Sequence, residues 1–199
     1  MKKLYTVVII LTFCFLTACG AGQELDRVDT QILDGTGFSL TLPTAWQQEQ
    51  PASDYGVYAF SADDGQLSLE IVQELGAMEY YSAEELGASV SEAIGGSLFA
   101  GEPDSSSSSS DTSYTNVLQG SDADGNKLVC RIDLLMPYPS VRYYLVCTAT
   151  PDAYKANRRL IEGVRDSFTV TMSAEEMYQF IDEQRRRAAE EAASGVKDK

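Results

Sequence analysis

Histidine is absent from all 199 residues. That removes the commonest general base and the commonest metal ligand together. No Gly-x-Ser-x-Gly elbow is present to carry a nucleophilic serine, and no Cys-x-x-Cys pair to carry redox chemistry. Basic residues are scarce: 15 Lys and Arg stand against 30 Asp and Glu, for a net charge of −15. Nucleic-acid binding calls for a basic stripe, so nucleic acid is not an expected partner. Beyond the N-terminus no apolar run is long enough to span a bilayer as a helix. Asp122, Asp124 and Gly125 invite a calcium reading. They lack the further loop positions and the closing glutamate of an EF-hand, which leaves a β-turn. No catalytic residue, metal or cofactor is therefore expected, and the chain does not read as an enzyme.

The N-terminus is more informative. Lys2 and Lys3 precede an apolar run from Leu4 to Leu16, which ends in Leu16-Thr17-Ala18-Cys19-Gly20. This is the layout of an export signal, and its end resembles the lipobox of bacterial lipoproteins. The resemblance implies acylation of the Cys19 sulfur and cleavage between Ala18 and Cys19, which discards residues 1–18 and Cys14 with them. Two acyl chains on Cys19 give lasting attachment to membrane lipid where one is marginal. The expected location is the extracytoplasmic face of the cell membrane. Lipid must do the holding there, because an acidic chain is repelled by anionic headgroups.

Residues 19–35, rich in Gly, Gln and Asp, read as a flexible stalk. Alternating apolar residues then mark strands at 37–43, 55–61 and 67–71, with Trp46 in a turn and Asp63-Asp64-Gly65 as hairpin chemistry. Ser82-Ala-Glu-Glu85 is a capping box opening a helix through Leu86, Val90 and Ile94 that stops at Gly95-Gly96. Residues 97–111, with serines at every position from 105 to 110, read as an exposed loop. A strand follows at 114–120. Thr150-Pro151 opens a second helix with Tyr154, Asn157, Ile161 and Val164 on one face. Ser173-Ala-Glu-Glu176 caps a third, which docks by Met177, Phe180 and Ile181 and continues as a charged helix laced with i,i+4 pairs.

Between these helices, two β-rich runs, 127–136 and 141–149, flank Pro137-Tyr-Pro-Ser140 as a hairpin. With a four-residue loop, Met136 faces Val141, Ile132 faces Leu145 and Cys130 faces Cys147. That register gathers the apolar pairs on one side. Opposed cysteines in an exported protein suit a Cys130–Cys147 disulfide. The alternative is two reduced thiols in the core.

Gly37-Phe-Ser-Leu-Thr-Leu-Pro-Thr-Ala-Trp46 resembles the opening strand of the Mog1/PsbP-like superfamily. Leu160-Ile-Glu-Gly-Val-Arg-Asp-Ser-Phe168 resembles its closing helix, which runs into a last short strand. The likeness covers residues 36–172 and implies an α+β fold, an antiparallel β-sheet flanked by helices on both faces. Residues 173–199 form a charged C-terminal helix and tail outside it. No functional residue of that superfamily maps onto a motif here. The functional expectation is a membrane-anchored, non-enzymatic binding or scaffold module whose partner is an envelope protein. The alternative is an extracytoplasmic small-ligand binder associated with a transporter.

Overall fold

The computed structural model describes residues 23–53, 56–77 and 81–195. Ala18, Cys19 and the rest of the leader lie outside the described residues, as do Tyr55 and the last four residues of the tail. Among the described residues ten strands form two antiparallel sheets. The smaller has order β1-β2-β10, from Thr30–Gly35 (β1), Phe38–Pro43 (β2) and Thr169–Val170 (β10). The larger has seven strands in the order β3-β4-β5-β9-β8-β7-β6. These are Gln47–Glu49 (β3), Gly56–Ala62 (β4), Leu67–Leu75 (β5), Asp104–Ser109 (β6), Ser113–Ser121 (β7), Lys127–Tyr138 (β8) and Val141–Ala149 (β9). Three helices, Ala83–Leu98 (α1), Pro151–Asp166 (α2) and Ala174–Gly195 (α3), flank the sheets. The α+β architecture is thus the expected one.

The helices start where their capping residues stand. Ser82 and Glu85 exchange both bonds of a capping box, the Thr150 hydroxyl accepts from the Ala153 amide ahead of Pro151, and Ser173 and Glu176 repeat the box. Helix α1 lies on one face of the large sheet, against β7 and β8. On the other face, α2, the small sheet and the first turns of α3 share one core with β5 and β9. At its centre, Phe38 and Phe168 stack with centroids 5.5 Å apart, and Tyr143 closes on both at 5.1 and 5.0 Å. Trp46 follows a turn closed by its own amide on the Pro43 carbonyl and is buried. Met177 and Ile181 of α3 enter the same core, so the charged helix begins as part of the domain. Among the described residues no helix is long and apolar enough to cross a membrane.

Four expectations need correction. Residues 25–35 are not a stalk. Leu25–Arg27 is a 3-10 turn, with Leu25 packed on Gly163 of α2, and Thr30–Gly35 is strand β1, paired along its length with β2. Residues 104–109 are not a loop but edge strand β6, hydrogen-bonded to β7, with Asp104 and five of the six serines of the run all exposed. Helix α1 does not stop at Gly95-Gly96 but continues to Leu98.

The Cys130–Cys147 disulfide is also not formed; both thiols are free and buried. Cys130 pairs with Thr148, and Arg131 faces Cys147. The cause is a bulge. The hairpin turns on Pro139 and Ser140 alone, from the pair Tyr138–Val141, and Met136 with Pro137 then stands opposite the single residue Arg142. One extra residue on one strand flips every side chain beyond it. Cys130 consequently faces α1, among Phe99, Leu118 and Ile132, while Cys147 faces α2 in the main core.

Candidate functional site

The two faces of β8 carry two different polar constructions. On the α2 face, Arg131 and Asp133 are two apart on one strand and so point the same way. The Arg131 guanidinium donates to both Asp133 carboxylate oxygens, Nε at 2.7 Å and Nη2 at 3.0 Å. The Thr115 hydroxyl of β7 donates to the same carboxylate at 2.6 Å. From α2, Glu162 stands 3.5 Å from Arg131, and Arg165 lies 4.0 Å from Asp133. Burial works against the Arg131 charge, and the hydrogen bonds and charge of Asp133 more than offset it, so its pKa is held above the usual arginine value. This cluster is turned inward, and Arg165 Nε within it is buried with no hydrogen bond. Its carboxylate is fully engaged by neighbours, which suits an internal clamp under α2 rather than a reaction centre.

On the α1 face the construction is open. The buried stripe of α1 is Ala83, Gly87, Ser91 and Gly95, spaced by four. Leu86, Val90 and Ile94, expected as the core-facing ridge, flank it half-buried. A Cβ at Gly87 would run into the Tyr114 ring, so glycine lets the first half of α1 sit close on β7. Farther along the spacing relaxes, and a Cβ at the buried Gly95 would stand 3.5 Å from Leu118, an ordinary contact. A Cβ at Gly96 or Gly101 would meet no atom within 4 Å. The result is a groove of about 670 Å³ between α1, the 99–103 connection, and strands β6 and β7. Ligand sites are commonly of this size.

Two polar side chains in the groove wall have no partner. Ser91 and Asn116 are each 5% exposed. Ser91 Oγ and Asn116 Oδ1 are buried with no hydrogen bond. Leaving such an atom unpaired costs about 1–3 kcal/mol, so a polar partner supplied to either would be stabilising. The charged residues of the wall are Glu92 and Glu102, both exposed, and its apolar part is Tyr114, Phe99 and Leu118.

The cysteines singled out from sequence have no reactive setting. Burial pushes the Cys130 thiol up to about 11, the Thr148 hydroxyl pulling slightly the other way, and burial raises Cys147 further. Both stay protonated at neutral pH, and the thiol is the unreactive form. The Asp122–Asn126 segment is an Asx-type turn, its carboxylate accepting from the Asp124 and Asn126 amides. Among the described residues no group of three or more Cys, Asp or Glu is placed to hold a metal ion. The groove was missed in the sequence because its glycines read as a helix stop and its rim serines as a loop. The one available signal was the four-residue spacing of small residues in α1.

With these faces defined, the fold can be set beside known proteins. The chain is similar to the solution structure of cyanobacterial PsbP (CyanoP) from Synechocystis sp. PCC 6803, with a TM-score of 0.52 at 15% identity over 78% of this chain and 98% of that one. It is similar also to the Saccharomyces cerevisiae Ran-binding protein Mog1p, with a TM-score of 0.52 at 10% identity over 72% and 96%. The fold is PsbP/Mog1-like. At these identities the likeness concerns fold alone. No protein-family model and no curated protein matches the sequence.

Proposed function

We propose that the protein is a membrane-anchored extracytoplasmic lipoprotein acting as a non-enzymatic binding module, tethered through acylated Cys19 and presenting its α1 face to a partner. The observation that carries this reading is the Leu16–Cys19 lipobox set immediately before a folded domain. The 3-10 turn at Leu25–Arg27 packs on α2, so the anchor joins the molecule on the α2 side of the large sheet. The α1 groove lies on the opposite side, which the tether turns toward solvent. An inward-facing ion cluster whose carboxylate is engaged by Arg131 and Thr115, and protonated, buried thiols, support a binding role over a catalytic one. The partner on this reading is an envelope protein, and nucleic acid is disfavoured by the charge of −15.

A small-ligand binder serving a transporter is the second reading. It is favoured by the unpartnered Ser91 and Asn116 in the groove. The anchor is tested by mass spectrometry of the N-terminal peptide and by fractionation. Diacylated Cys19 as the first residue, with Cys19→Ser releasing the chain from membranes, is the expected outcome; an unmodified Cys19 behind an intact leader would sink it. Crosslinking in native membranes tests the partner, and a single enriched envelope protein is expected.

A further inference from the structure

We propose that the groove between α1 and strands β6 and β7 binds a small organic cation through its N–H donors, an ammonium or guanidinium group. The inference rests on the binding-module reading and adds the ligand class to it. Three features of the wall set the chemistry. First, Asn116 Oδ1 is an acceptor without a partner, and Ser91 Oγ is a hydroxyl without one, able to accept as well as donate, both on side chains nine-tenths or more buried. An acceptor is answered by a donor. Second, the charged groups lining the groove, Glu92 and Glu102, are both carboxylates, and among the described residues no lysine or arginine lines it. An anion would meet two negative charges with nothing to balance them. A neutral polyol would answer the buried oxygens and leave the carboxylates without a counter-charge. A cation bearing N–H groups answers both, and hydrogen bonds assisted by charge are the stronger kind. Third, the wall between the polar ends is apolar, with Tyr114, Phe99 and Leu118 available to methylene groups.

The serine rim fits the same picture. Ser105 of β6 lines the groove and is small, neutral and exposed. At Gly96, which faces open space on a regular helical backbone, the groove keeps its width because no side chain enters it. The field of a chain at −15 further raises the local concentration of cations.

The probe is agmatine, which carries an ammonium at one end and a guanidinium at the other. Titration calorimetry and thermal shift on the full chain in detergent give the readout. Controls are choline, a cation without N–H donors, succinate and glucose. Saturable agmatine binding at one site is expected, raising Tm, with choline, succinate and glucose at least about tenfold weaker. Gly96→Leu fills the groove at a position that meets no neighbour, and should abolish binding in a folded protein. Asn116→Leu should weaken binding about tenfold or more. No saturable binding by the folded wild type up to about 10 mM overturns the proposal. Equal binding by choline overturns it too, as does agmatine binding indifferent to both substitutions, which would be diffuse charge attraction. Cys19→Ser leaves the groove untouched. Failure here therefore leaves the anchored module standing, and failure of the anchor leaves the groove result standing.

Discussion

Asp133 is 2% exposed, and both Arg131 and Thr115 hydrogen-bond its carboxylate. Removing one member of a buried pair strands the other in a medium that cannot solvate it. Asp133→Asn is therefore expected to cost about 3–5 kcal/mol in urea denaturation. The double replacement Arg131→Met with Asp133→Leu should recover most of that loss, since a well-packed apolar pair of similar volume often replaces a buried ion pair without penalty. Equal losses for the single and double variants would show that the cluster is not coupled. The thiols give a second residue-level outcome. Cys130 and Cys147 lie on opposite faces of the sheet, each with its pKa raised by burial. Iodoacetamide at neutral pH should leave both unmodified in the native protein and alkylate both after denaturation without reductant, read from their peptides by mass. A bridged peptide would contradict the bulged register.

At the scale of elements, the capping boxes tie helix stability to pH. Backbone and side-chain hydrogen bonds from Ser82 hold the Glu85 carboxyl below its ordinary value of 4.5, and Ser173 does the same for Glu176. A depressed native pKa means that the unfolded chain takes up protons first as pH falls. The contribution is complete above about pH 4.5 and is lost as the pH drops through the native value. Glu85→Gln keeps an acceptor for the Ser82 amide and removes the titration. Its Tm should fall less than that of the wild type between neutral pH and about pH 3, and an unchanged fall would remove Glu85 from the acid response. Elements with such side-chain signals were the legible ones: β2, both capped ends, and α2 with its single apolar face. The strands that went unread lack a side-chain signal altogether. In β1, Ile32 is 72% exposed and no alternation survives. Strand β6 is held by backbone pairing to β7, which an aspartate and five serines do not advertise. Strand β8 is buried on both faces, so apolar alternation could not choose between two registers one residue apart. Only the bulge at Met136-Pro137 chooses, and it arises from the turn, not from the pattern. The groove was illegible for the same reason, being made of glycines and serines whose meaning is the space they leave.

For the molecule as a whole, the distance from anchor to fold decides how the domain sits. Leu25 is six positions on from Cys19, and an extended chain spans at most about 3.6 Å per residue, roughly 22 Å in all. On the proposed anchor, that tether holds the domain against the bilayer by its α2 side. There Glu24 is paired with Arg159 at 2.7 Å, next to the exposed Lys155 one helical turn before it. Helix α1 lies beyond the full thickness of the large sheet, carrying the groove with it. A flexible stalk through residue 35 would have allowed every orientation; pairing of β1 with β2 removes that freedom. Because the native thiols are buried and protonated, a cysteine introduced on the surface reports alone. A fluorophore at Lys155→Cys should be strongly quenched by nitroxide-labelled lipid when the acylated protein is on vesicles, and one at Ser89→Cys, exposed on α1, should not. Inserting a Gly/Ser segment of about 20 residues before Leu25 adds a flexible tether of roughly 25 Å r.m.s. span. The difference between the two positions should then shrink toward zero. Equal quenching at both sites with the native tether would mean that the domain tumbles freely, and that the outward presentation of the groove is not set by its anchor.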